Sequence, residues 1–154
     1  MTPPGTTIPQ VIGQTENALR ALLHRALDGT GSSFHQWVTL RLLSNGAAPA
    51  ELDRLATRIT GALKIDLPAA LEMIDELVAA HLAHRTTDPI LGVELTQEGQ
   101  AQLHRTRAAV DQIISRLFDG LAADDLAATV HVLTLITARA DAELDVPNAP
   151  PSPH

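Results

Sequence analysis

The chain has 154 residues and a formal net charge of −7 with its histidines neutral. That length is enough for one domain with a real core, and the acidic balance argues against strong nonspecific nucleic-acid binding, which needs concentrated Lys and Arg. Cysteine is absent, so disulfides, thiolate metal sites and thiol redox sensing are all excluded.

The apolar residues are mostly Ala, Leu, Val and Ile, and the aromatics are only Phe34, Trp37 and Phe118. Ala and Leu favour helices and do little for sheets, so the composition predicts a mostly α domain. The opening MTPPGTTIPQ has neither the basic region nor the apolar run of a secretory leader. No segment approaches the ~20 apolar residues of a membrane span. The expectation is a cytoplasmic protein with no membrane partner.

Taken in chain order, residues 1–8 read as a flexible, proline-rich arm. A first helix is predicted from Pro9 to about Leu27. Its apolar residues, among them Leu19, Leu22, Leu23 and Leu27, recur at helical spacing, and Asp28-Gly29-Thr30-Gly31 stops it. Ser33 and Gln36 have capping-box spacing and open a second helix, which Asn45-Gly46 ends. Pro49 suits a first helical position and is read as starting the third helix, with Leu52, Leu55, Ala56 and Ile59 on its apolar face. Thr60 to Ile65 is read as a turn. Asp66 can cap a fourth helix, DLPAALEMIDELVAAHL, with Pro68 tolerated in its first turn.

Asp88-Pro89 then separates two short runs, Ala83 to Thr86 and Leu91 to Leu95. Val93 and Leu95 alternate with Glu94, so the pair reads as a small hairpin. Thr96 can cap a long fifth helix reaching about Phe118, which Asp119-Gly120 breaks. The sixth helix carries Leu126, Val130, Leu133, Thr137, Ala140 and Leu144 at alternating steps of four and three, a seam suited to another helix. Asp124-Asp125 favours its start through the helix dipole. Residues 146–154 read as a second proline-rich tail.

This order, with FHQWVTLRLL in the second helix, AELDRLATRI in the third, LKIDLPAALEMIDELVAAHLAHR next and ELTQEGQAQL after the hairpin, resembles the MarR family of winged-helix transcription regulators. The most specific piece is the Leu95-Thr96-x-x-Gly99 step that follows the hairpin. The resemblance spans about residues 10–144. It implies one domain over 9–145: a winged helix-turn-helix lobe at about 33–96 with a two-stranded β-hairpin wing, and long helices at about 9–28 and 97–144 that form a dimerisation domain. It implies a homodimer that reads two half-sites of double-stranded DNA. No cofactor is expected, and the residues themselves, with no Cys and no tight carboxylate cluster, lead us to expect no metal.

Carried onto this sequence, the resemblance makes Arg54, Lys64, Leu67, Ala69, Leu71, Arg85, Thr86 and Thr87 the DNA-contact candidates. Lys64 and Arg85 would meet phosphates, and the start of the fourth helix would meet base edges. A small apolar ligand would lie between the first, second and fifth helices, near Leu22, Phe34, His35, Trp37 and Val38. Against that pocket stands ordinary core packing, the commoner use of a lone Trp.

The departures from the family are chemical. Members usually place Ser, Thr and Arg at the start of the fourth helix; here stand Leu67, Pro68, Ala69, Leu71 and Glu72. A glycine often ends that helix; here it is His81. Three extra residues near Gly61-Ala62-Leu63 lengthen the preceding turn. From Ala50 to Leu95 the four cations Arg54, Arg58, Lys64 and Arg85 face eight anions, a net of −4. A head that neutralises phosphates should be positive. A second reading is therefore a dimer without operator binding, which docks a protein on helix 66–82 or senses a ligand.

Other groupings weigh less. Arg54 and Arg58, with Arg41 on the second helix, fit phosphate contact or surface pairing with Glu51 and Asp53 equally well. His81-x-x-His84, or His24 with His35 and His104, could in principle hold a metal, but solvated or core histidines are the better reading. His104-x-x-Arg107 matches no motif. No phosphate loop, nucleophile elbow or paired-carboxylate cleft points to an enzyme.

Overall fold

The computed structural model describes residues 5–147. Most of the two predicted arms, residues 1–4 and 148–154, lies outside the described residues. The order is α1 (Ile8–Thr30), α2 (Phe34–Ser44), β1 (Ala50–Glu51), α3 (Leu52–Leu63), α4 (Leu67–Ala79), β2 (Ala83–Thr86), β3 (Gly92–Leu95), α5 (Gln97–Phe118) and α6 (Ala123–Asp145). Two compact units divide it, 1–114 and 115–154.

In the first unit the predicted caps form. Ser33 Oγ accepts from Gln36 N–H (3.0 Å) while Gln36 Oε1 accepts from Ser33 N–H (3.1 Å), the reciprocal pairing that starts α2. Asp66 Oδ1 accepts from Ala69 N–H (2.9 Å) and starts α4. At the end of α1, Gly31 takes a left-handed conformation (φ 74°), which costs glycine nothing.

The structure differs from the sequence reading most at the two ends of α3 and in the sheet. Pro49 does not start α3: Ala50 and Glu51 form β1, paired with Val93 and Gly92, and the helix begins at Leu52. The sheet therefore has three antiparallel strands in the order β1-β3-β2, not only the hairpin. Gly61-Ala62-Leu63 is not a longer turn. It extends α3 to Leu63, and Lys64 (φ 54°) makes the stop. Leu63 packs against the core, and that contact outweighs glycine's cost inside a helix.

The core of this unit lies beneath α2, α3 and α4, with Leu40, Leu55, Ile59, Ile74 and Leu77 fully buried. Leu27 of α1, Val93 of β3 and Leu103 of α5 close it. A buried polar knot ties the end of α1 to α5. Ser32 Oγ and Thr106 Oγ1 lie 3.0 Å apart, and Gln102 Nε2 donates to the Thr30 carbonyl (3.1 Å) and to Ser32 Oγ. Among the described residues no buried side-chain polar atom lacks a partner.

In the second unit, α6 buries none of its side chains within the chain. Val130, Leu133 and Leu144 of the predicted seam are exposed. Among the described residues no single helix is long and apolar enough to cross a membrane.

Candidate nucleic-acid interface

The Leu95-Thr96-x-x-Gly99 step is the joint that sets the wing against α4 and α5. Thr96 N–H donates to the Leu82 carbonyl (3.1 Å). Thr96 Oγ1 donates to the His81 carbonyl (2.7 Å) and accepts from Gly99 N–H (3.0 Å), capping α5. Gly99 has no side chain because the Leu82 carbonyl oxygen sits 1.8 Å from where a Cβ would be.

The end of α4 is equally defined. Leu82 N–H reaches the Leu77 carbonyl (3.1 Å) and His81 N–H the Val78 carbonyl (3.0 Å). This closure needs a left-handed residue, and His81 supplies it at φ 61°. The family's glycine thus has its conformation here without its residue type.

The wing is a pair of four-residue strands in the register Ala83↔Leu95, His84↔Glu94, Arg85↔Val93 and Thr86↔Gly92. Its boundaries match the predicted hairpin within one residue. Gly92 lies between two strands, and a Cβ there would stand 2.5 Å from the Ala50 carbonyl oxygen.

The fold brings the eight candidate contact residues onto α3, α4 and the wing, in unequal condition. Arg54 is strongly exposed but pairs with Glu51 (3.1 Å). Lys64 is exposed at the end of α3, and Thr87 is exposed at the wing tip. Thr86 is half-buried and donates to the Ile90 carbonyl (3.1 Å). Leu67 is exposed, Ala69 is half-buried, and Leu71 is half-buried with its side chain packed on the core. Arg85 pairs with Asp75 of α4. Arg58 packs over Gly46, and Arg41 stacks on Trp37 at 5.9 Å.

On α4, Ala70, Met73, Ile74 and Leu77 are buried. The opposite face carries Glu72, Asp75 and Glu76, all exposed, and Leu67 is its one exposed large hydrophobic. An apolar docking face on helix 66–82 is therefore not what the fold presents. The stripe of Leu67, Leu71, Ile74 and Val78 turns largely inward, and the outer surface is acidic.

The residues of the expected ligand pocket lie in the first unit. Trp37 and Val38 are buried core residues, Leu22 and Phe34 are half-buried, and His35 is exposed beside the Phe34 ring. A separate cavity of about 370 Å³, lined by none of these residues, lies between the end of α2, β3 and α5. His104 and Arg107 both line it, although their spacing carries no motif. The only signal in the sequence was Gln100, Leu103, His104 and Arg107 on one α5 face. Among the described residues no three His, Asp or Glu side chains gather closely enough to hold a metal.

No family model and no curated protein matches the sequence. Solved structures do match the fold. CouR from Rhodococcus jostii, bound to p-coumaroyl-CoA, superposes with a TM-score of 0.74 at 21% identity, covering 84% of this chain and 91% of its own. A MarR family transcriptional regulator from a Rhodococcus species gives 0.71 at 21% identity, covering 84% and 93%. A MarR family protein of Mycobacterium tuberculosis in complex with salicylic acid gives 0.64 at 19% identity, covering 88% and 99%. The chain has the winged-helix fold of the MarR-family regulators.

Proposed function

We propose that this chain is a MarR-type transcriptional regulator, a cytoplasmic homodimer that binds operator DNA and responds to a small ligand, without enzymatic activity. The observation that carries this reading is the likeness of fold to MarR-family regulators over 84% of the chain. The exposed apolar residues of α6, Val130, Leu133 and Leu144, support a second copy as their cover. Exposed apolar surface on that scale marks an association site. Relatives of the same fold have been seen with p-coumaroyl-CoA and with salicylic acid, which supports ligand response.

The test is a gel-shift titration against the region upstream of the chain's own gene, at two salt concentrations. Light scattering during size exclusion gives the mass. Tight binding by a dimer, with affinity falling steeply as salt rises, is the expected result. A monomer, or no binding to specific or random duplex at low salt, overturns it.

A second reading is favoured by one observation, the acidic outer face of α4 with its Asp75 holding the wing's Arg85. In that reading the dimer has lost operator binding and works as a ligand-sensing or protein-interaction module. A dimeric mass with no duplex binding at low salt selects it.

A further inference from the structure

Asn45-Gly46 ends α2, and nothing in the regulator reading uses its chemistry. Of the three asparagines, Asn17, Asn45 and Asn148, only Asn45 precedes a glycine. It caps α2 with φ −89° and ψ 17°. Residues 45–48 are exposed and belong to no helix or strand. Among the described residues the Gly46 N–H makes no backbone hydrogen bond.

The Gly46 amide nitrogen is therefore free to attack the side chain before it. Attack needs rotation about Asn45 ψ, which brings that nitrogen to Cγ. Gly46 has no Cβ to obstruct the rotation, and no backbone bond has to break first. A second observation concerns charge. The Arg58 guanidinium lies over Gly46, with Nη1 2.9 Å from where a Gly46 Cβ would be. Arg58 is half-buried there, and among the described residues no carboxylate pairs with it. A cation in that place favours both a deprotonated amide nitrogen and the oxyanion that forms on attack.

We propose that Asn45 is a site of spontaneous deamidation, assisted by Arg58. Water takes the proton of the Gly46 amide, and the bond from its nitrogen to Asn45 Cγ forms. The Cγ–Nδ2 bond breaks, and Nδ2 takes up a proton and leaves as ammonia. Water then opens the resulting five-membered imide at one of its two carbonyls. Cleavage of the new bond to Cγ gives aspartate. Cleavage of the original peptide bond to the Asn45 carbonyl carbon gives isoaspartate, with the chain running through the side chain. No oxidant or cofactor takes part. Either product is a carboxylate and takes the formal net charge from −7 to −8. The negative end of the α2 dipole opposes that charge, and Arg58 beside it offsets the opposition. Arg58 is one of the four Lys and Arg residues between positions 50 and 95. The change thus engages a cation of the winged lobe, as Asp75 engages Arg85. This chemistry goes beyond the proposed regulator function, and its test needs no DNA.

The full chain is incubated in warm, mildly alkaline buffer, sampled over time, digested with trypsin and analysed by mass spectrometry. The peptide 42–54 should gain the mass of an amide-to-acid exchange, as two species that fragmentation identifies as isoaspartate and aspartate. Asn17, in the peptide 1–20, should convert about tenfold more slowly or less, because it lies inside α1 and the helix must open first. Asn45→Gln should abolish the change in 42–54, since the larger ring closes poorly, and Gly46→Ala should slow it. Arg58→Gln should slow it roughly threefold, the scale of a partly exposed charge contact. The proposal is overturned if 42–54 keeps its mass, if Asn17 converts as fast as Asn45, or if Arg58→Gln leaves the rate unchanged.

Discussion

Adding one methyl group at Gly99 tests the joint between α4, the wing and α5. A Cβ there would lie 1.8 Å from the Leu82 carbonyl oxygen and 2.8 Å from its carbon. To reach ordinary contact, the carbonyl and the start of α5 must part by roughly 1.5 Å, and neither is a flexible side-chain tip. The carbonyl is also held by Thr96 N–H at 3.1 Å, and Leu82 N–H is tied to Leu77. Overpacking a tight site costs about 1–3 kcal/mol and a broken backbone hydrogen bond about 1 more, so Gly99→Ala should lose ~2–4 kcal/mol. The assay is urea unfolding followed by far-ultraviolet circular dichroism, at one fixed protein concentration because a dimer's stability depends on it. Gly61→Ala is the control: that glycine lies inside α3 with nothing within 4 Å of its Cβ position. There alanine should gain ~0.4–1 kcal/mol by restricting the unfolded chain. Equal effects of the two substitutions, within about 0.5 kcal/mol, would show that Leu82 is not the constraint.

Three further outcomes follow from the same contacts. His81→Gly should stabilise by about 1 kcal/mol in the same unfolding assay, because the left-handed backbone is kept and the Cβ penalty removed. Thr106→Val should cost about 1–2 kcal/mol by breaking the buried knot with Ser32, while Thr106→Ser keeps the hydroxyl and most of the stability. Asp75→Asn should leave stability within about 1 kcal/mol, since the pair is solvent-accessible. It should also tighten binding to random duplex in fluorescence anisotropy and steepen the salt dependence by about one unit, the sign of one more cation released to phosphate.

The elements that carry their own chemistry were legible in the sequence. The Ser33/Gln36 reciprocal cap, the Asp66 cap with Pro68 behind it, and the Leu95-Thr96-x-x-Gly99 step all stand where their residue types predict. Features made by distant partners were not. β1 is two residues long, so it has no periodicity, and it exists only because Val93 and Gly92 lie across from it. Pro49 looked like a helix start for the same reason: nothing local says that Ala50 pairs with a strand forty residues on. Gly61 read as a breaker, but Leu63 packs on the core and carries α3 past it. The charges of α4 could be counted in advance. That Asp75 would reach Arg85 required the turn at His81 to fold β2 back along the helix. The cavity is drawn from three elements, and its one trace in the sequence is the Gln100-Leu103-His104-Arg107 face.

The start of α4 sharpens the electrostatic question. A helix N-terminus normally attracts phosphate through its unpaired N–H groups and the positive end of its dipole. Here one of those groups, Ala69 N–H, is taken by the Asp66 carboxylate. Pro68 contributes no N–H at all. The carboxylate that stabilises the helix also places a negative charge where a phosphate would approach. Further along, Glu72 and Glu76 keep the exposed face anionic, and Asp75 holds the wing's cation. If the chain binds DNA as proposed, the attraction to phosphate would have to come from residues outside α4, chiefly Arg54 on α3, Lys64 at its end and Arg85 of the wing. Under the same proposal α4 would offer Leu67 to a thymine methyl. On the proposed regulator reading the Asp75–Arg85 pair would tune this balance: opening it leaves the net charge of the head unchanged but frees the guanidinium to meet a phosphate.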